Sequence, residues 1–236
     1  MIVSGATLAG TRVVDASIIT SNLLIWIDAG NAASYPGSGT TITDLSGNGW
    51  NHLMYNATFT TYQGVKCWNC TGASQNLQPT APGNLGPVLP TGGWTYIIWG
   101  NVMSSNAAYR TLLRTYPNDH PLLIQIGTNN MGMWDNPNNG WNSTTPAYDI
   151  TPQVNTWAQW AVSGDSTGQT FYINGNQVGT VSGHTSSGNN HCGVGNIYNG
   201  GSQPFGYIAN CLLYNGKLTL EQIQQTYWGY KNRYGL

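Results

Sequence analysis

Along most of the chain, apolar residues either alternate with polar ones or form short blocks between turn residues, a pattern that predicts strands. Leu23-Leu24-Ile25-Trp26-Ile27 is apolar on both faces and rich in β-branched and aromatic residues, which predicts a strand buried on two sides in mid-sheet. Further strand-like stretches run over Thr95 to Val102, Thr111 to Tyr116, Leu122 to Gly127, Trp157 to Ser163, Thr170 to Ile173, Gln177 to Val181 and Tyr207 to Tyr214. Between two of them stands Asn174-Gly175, a pair that readily takes the positive φ values of a type I′ hairpin turn. After Asn215-Gly216 the period changes. Thr219 and Gln222 have capping-box spacing, and Leu220, Ile223 and Tyr227 recur three or four apart, so a short amphipathic helix should cover the sandwich, with Gly235 as its stop. Residues 1–22 mix Gly, Ser and Thr with the pairs Val13-Val14 and Ile18-Ile19 and read as an N-terminal arm or edge strand. Neither a repeat nor a linker divides residues 23–236, which predicts one domain.

Composition shifts this picture toward a folded but weakly charged chain. Only 6% of the 236 residues are charged, while 40% are hydrophobic and 11% aromatic, enough apolar surface to offset chain entropy. Solubility therefore falls to Asn, Gln, Ser and Thr. A net charge of −1 with seven Lys plus Arg offers no basic footprint for nucleic acid or for an anionic membrane surface. No stretch approaches the roughly 18 apolar residues of a spanning helix, and the Met1-Ile2-Val3 start lacks the basic and apolar regions of a secretory signal. A near-neutral surface also packs against its neighbours at little Coulomb cost, which suits a component of an assembly.

Three blocks in order resemble the laminin-G-like, concanavalin A-like jelly rolls common in tailed-phage and large-virus structural proteins. The first is Leu24-Ile25-Trp26-Ile27-Asp28-Ala29-Gly30-Asn31, followed by Ser34 to Thr40 and Asp44-Leu45-Ser46-Gly47-Asn48-Gly49. The second is Trp157 to Val162 with Phe171-Tyr172-Ile173-Asn174-Gly175. The third is Gly206-Tyr207-Ile208 through Leu212-Leu213-Tyr214-Asn215, then Leu218 to Ile223 and Lys231-Asn232-Arg233-Tyr234-Gly235-Leu236. The resemblance implies an all-β fold, a two-sheet antiparallel concanavalin A-like jelly-roll sandwich with a short C-terminal helix. It also implies a binding or assembly role without fixing a ligand.

Candidate chemistry is sparse. Glycoside hydrolysis ordinarily needs two carboxylates about 5–10 Å apart. Here Glu221 is the only glutamate and falls on the expected helix, and the seven aspartates form no clustered strand motif. His52, His120, His184 and His191 accompany no nucleophile motif and read as solvated or loop histidines. Cys67, Cys70, Cys192 and Cys211 permit reduced core thiols, disulfides or a zinc site; a Cys192–Cys211 bridge on adjacent strands is the disulfide candidate. Calcium, common in related lectin-like domains, would draw on Asp28 with Asn31 or Asp44 with Asn48, although Asp and Asn beside Gly and Ser also make Asx turns. No cofactor is otherwise required.

Sugar recognition needs flat apolar surface for C–H faces and amides or hydroxyls for sugar hydroxyls. Trp134, Asn136, Asn139 and Trp141 concentrate both, and Tyr198 with Asn199 forms a second candidate. Together with the resemblance these features point to a non-enzymatic virion surface protein, a capsid decoration or minor capsid protein. Its expected partners are other virion or capsid proteins in an oligomeric assembly and host-surface glycans, with no nucleic acid and no membrane. A free-standing extracellular lectin or phage receptor-binding domain is the alternative, and a polysaccharide depolymerase is the enzymatic one.

Overall fold

Two-residue alternation resolves into two antiparallel eight-stranded sheets in the computed structural model, which describes residues 18–80, 86–104, 109–115, 119–125, 127–135, 140–184, 190–195 and 203–236. The first sheet runs β14 (Asn176–Ser182), β13 (Gly168–Ile173), β12 (Trp157–Asp165), β7 (Trp94–Val102), β16 (Gly206–Asn215), β5 (Val65–Cys70) and β4 (Thr58–Tyr62), with β1 (Leu23–Asp28) also paired to β16. The second runs β11 (Gly140–Ser143), β10 (Met131–Asp135), β9 (His120–Gln125), β8 (Tyr109–Thr115), β15 (His191–Gly195), β6 (Asn76–Pro79), β3 (His52–Tyr55) and β2 (Thr41–Ile42). The main core lies between them, with Ile25, Trp68, Tyr96, Ile98 and Trp160 facing Leu77, Leu122, Ile124, Met131 and Met133. This is the expected jelly-roll sandwich.

A third layer covers the outer face of the first sheet. Helix α1 (Leu220–Tyr230) and the short 3-10 turn Lys231–Tyr234 lie over Trp99, whose ring stacks on Tyr234 at 4.2 Å and on Tyr227 at 5.9 Å. Ile18 and Ile19 pack on the same face; Val13-Val14 lies outside the described residues. Covered on both sides, β7 is buried at every position.

Local chemistry sets the element ends. Asn174 and Gly175 adopt φ of 50° and 76° between Ile173 and Asn176, as a two-residue I′ hairpin requires. The capping box forms: Gln222 N–H donates to Thr219 Oγ1 at 3.3 Å and Thr219 N–H to Gln222 Oε1 at 2.9 Å. Gly235, at φ 73°, ends the segment. The buried helix face is Ile223, Thr226 and Tyr230 rather than Leu220, Ile223 and Tyr227. At about 100° per residue, Leu220 sits roughly a quarter-turn from the centre of that face, and it is exposed.

Strand β1 departs from the mid-sheet expectation, because among the described residues its only strand partner is β16. Its other edge is satisfied by the Asp44–Asn48 segment. Trp26 N–H donates to Asp44 Oδ1 at 2.9 Å, Leu45 N–H to the Trp26 carbonyl at 2.7 Å and Ser46 Oγ to the Leu24 carbonyl at 2.9 Å, while Asn48 Nδ2 donates to the Leu23 carbonyl at 2.9 Å. A loop thus stands where another strand would pair, and it protects the edge.

The cysteines are free thiols. The Cys192–Cys211 candidate is not realised, because β15 and β16 belong to opposite sheets rather than being adjacent strands. Cys67 and Cys70 stand three apart on one strand, and so face opposite ways, Cys67 toward the helix layer and Cys70 into the main core. Their zinc-knuckle spacing therefore brings no two sulfurs onto one side. Burial pushes the Cys67 thiol up to about 12 and that of Cys192 up to about 11.

Candidate functional site

Along β10, Met131 and Met133 point into the core, so strand alternation turns Gly132 and Trp134 to the outer face of the second sheet. In register, Trp134 lies opposite Trp141 on β11 and opposite His120 on β9. Tyr109, at the start of β8, completes an aromatic cluster: its ring centroid is 6.0 Å from each of Trp134 and Trp141. All three side chains are half-buried. The Trp141 ring lies over Gly132, where a Cβ would stand 2.8 Å from the ring and 2.1 Å from the Asn142 carbonyl oxygen. Glycine is thus what lets the tryptophan lie down on the sheet.

Polar groups border this surface. Thr111 Oγ1 donates to Gln203 Oε1 and sits 3.3 Å from His120 Nδ1. With its own proton used, the Thr111 hydroxyl accepts from Nδ1–H, which leaves His120 Nε2 as an acceptor. Burial and then the Arg114 charge hold His120 down at about 3, so the ring is neutral across the physiological range. On the inward side of β10, away from this surface, buried Asp135 holds His184 Nδ1 at 2.8 Å, and the His184 side chain keeps 31% of its surface exposed.

Of the sequence candidates, Trp134 and Trp141 meet on this face. Asn136, Asn139, Tyr198 and Asn199 lie outside the described residues. Tyr109, Thr111 and His120 join the site without having been singled out by motif. The histidine expectation is corrected as well: His52, His120 and His191 sit in strands, and His52 and His191 are fully buried.

The calcium candidates serve the fold. Asp28 accepts from Arg233 through a bidentate pair at 2.7 and 2.6 Å, from Gly30 N–H at 2.8 Å and from Asn210 Nδ2 at 3.2 Å. Asp44 accepts from the backbone N–H of Trp26, Ser46 and Trp50 and from the Ser46 hydroxyl. Both carboxylates are filled with donors, whereas a hard cation needs their lone pairs. Asn31 Oδ1 accepts from Ala33 N–H, an Asx turn, and Asn48 holds the β1 carbonyls. Among the described residues, no group of three or more His, Cys, Asp or Glu side chains is placed to hold a metal.

Asp165 pairs with Lys217 at 2.9 Å, Asp149 accepts from Thr151, and Glu221 lies exposed in the first turn of α1.

Comparison with known proteins matches this geometry at the level of fold. No curated protein matches in sequence. In structure the chain is similar to the ligand-binding domain of botulinum neurotoxin serotype D in complex with N-acetylneuraminic acid, with a TM-score of 0.61 and 14% identity over 89% of this chain and 52% of that one. It is similar also to Trypanosoma rangeli sialidase in complex with sialic acid, with a TM-score of 0.63 and 10% identity over 96% of this chain and 38% of that one. The chain therefore spans about half of the toxin domain and less of the sialidase. Identities this low carry the fold alone. The model of the concanavalin A-like lectin/glucanases superfamily matches residues 71–224, well over half of the chain, and the protein belongs to that superfamily.

Proposed function

We propose that this chain is a non-catalytic glycan-binding domain whose site is the Tyr109–Trp134–Trp141 surface. The observation that supports it is the convergence of three half-buried aromatic rings on the outer face of the second sheet, the sheet that α1 does not cover. Flat apolar rings suit the C–H faces of a sugar, and the bordering His120 Nε2 and Trp indole N–H groups supply an acceptor and donors for its hydroxyls. Two of the similar structures are complexes with sialic acids, which makes the sialic acids a first ligand class to try.

The test is a glycan array followed by titration. Trp134→Ala and Trp141→Ala should each weaken binding about tenfold or more, equivalent to ~1.4 kcal/mol, with an unchanged melting midpoint. Binding that survives both substitutions would place the ligand elsewhere.

The finer placement, at a virion surface beside other coat proteins or else extracellularly, is supported by the resemblance to viral jelly rolls and the low charge. Mass spectrometry of purified particles tests it, and a protein absent from the particles would refute the coat role.

A further inference from the structure

In the interior, on the opposite side of the second sheet from the aromatic surface, three polar side chains join the two sheets. Tyr96 comes from β7 of the first sheet; His52 and His191 come from β3 and β15 of the second. All three are fully buried. His52 Nδ1 is 2.8 Å from the Trp50 carbonyl, His52 Nε2 is 3.1 Å from His191 Nε2, and His191 Nδ1 is 2.9 Å from the Tyr96 hydroxyl.

A carbonyl only accepts, so His52 carries its proton on Nδ1 and presents a bare Nε2. His191 must then donate from Nε2 and, while neutral, accept at Nδ1 from the Tyr96 O–H. One arrangement of protons satisfies every contact in the uncharged chain. A proton added at His191 has to reverse the tyrosine contact and sit as a buried cation. One added at His52 sets two N–H groups against each other. The surroundings offer little relief. Burial drives both imidazoles toward neutrality, His52 down to about 4 against the weaker pull of the Trp50 carbonyl and then of the Asp44 charge, and His52 in turn disfavours a charge on His191. On the tyrosine side the neighbours are Cys211 of β16 and Cys192 of β15, whose thiols burial keeps neutral.

We propose that the Tyr96–His191–His52 chain is an acid-operated latch, joining β3 and β15 to β7 when neutral and releasing them when an imidazole takes up a proton. The sign follows from linkage. The unfolded or opened imidazoles bind protons near pH 6.5 and the latched ones do not, so the stabilisation is complete above pH 6.5 and is lost as pH falls toward 4.

The test uses the full chain. Between pH 6.5 and 5 each such imidazole changes the folding equilibrium by up to about tenfold per pH unit. His120, also held low by burial, adds an equal share. Denaturant titrations of the wild type should therefore show up to about a thousandfold change per pH unit, and the double variant His52→Leu with His191→Met about tenfold. An unchanged slope in that variant would overturn the proposal. Should the variant fail to fold, nitrogen-15 spectra of the wild type at pH 5.5 decide. An Nδ1–H tautomer at His52 and an Nε2–H tautomer at His191 are expected; an imidazolium signal from either overturns it. Hydrogen exchange supplies the local readout. On acidification, protection in β3 and β15 should fall before that in β12 and β13, and a uniform loss would argue against a latch.

Discussion

Arg233 and Asp28 stand 205 residues apart, in the last and first of the sequence blocks that carry the family resemblance, and form the bidentate pair that ties the C-terminal turn to β1. Asp28 is almost fully buried. Removing the guanidinium strands a buried carboxylate with only Gly30 N–H and Asn210 to hold it. Arg233→Ala should therefore cost about 3 kcal/mol, read as a melting midpoint lower by roughly 6–12 °C. Arg233→Lys should recover only part of this, since one ammonium cannot reproduce the two-pronged contact. Gly132 is the corresponding single-residue test of the proposed site. Gly132→Ala sets a methyl against the Asn142 carbonyl oxygen and the Trp141 ring, displacing β11 together with its tryptophan, and glycan affinity should drop at least as far as it does in Trp141→Ala. Neither pairing was legible in the sequence. The blocks mark Asp28 and Arg233 separately, and nothing in a linear pattern says that a carboxylate and a guanidinium two hundred positions apart will meet.

Elements were legible in proportion to how much core they carry. Strands β7, β12, β13, β14 and β16 present several inward apolar residues each, and the sequence pattern finds them to within two residues at either end. The strands β2, β6, β11 and β15 are short, and their sequences Thr-Ile, Asn-Leu-Gln-Pro, Gly-Trp-Asn-Ser and His-Cys-Gly-Val-Gly hold too few apolar positions to show a period. The site suffered from the same limit. β8 begins at Tyr109, two residues before the apolar run starting near Thr111, so the third aromatic ring falls outside the legible strand. The helix was legible because its start is encoded chemically as well as by period. Thr219→Ala removes the hydroxyl that accepts from Gln222 N–H and should cost about 1 kcal/mol. That loss is measurable by denaturant titration, and it should leave glycan binding unchanged, because α1 covers the opposite sheet.

At the scale of the whole molecule the two sheets differ in what covers them. The first is sealed by α1, the 3-10 turn and Ile18-Ile19, whereas the second turns Trp134, Trp141 and Tyr109 outward. The proposed glycan site thus uses one face, and fold closure the other. Hydrogen bonds and a buried ion pair occupy the carboxylates best placed to attract calcium: Asp28 and Asp44 accept from Arg233, Asn210, Ser46 and backbone N–H groups. For calcium to bind at Asp28 it would have to displace Arg233 and release the C-terminal turn, and at Asp44 it would have to uncap the open edge of β1. Either exchange gives up several charge-assisted hydrogen bonds for one metal site. The melting midpoint should therefore be the same in excess chelator and in millimolar calcium. A midpoint raised by several degrees with calcium, and lowered again by chelator, would show that a cation rather than Arg233 or the Asp44 loop completes the sandwich.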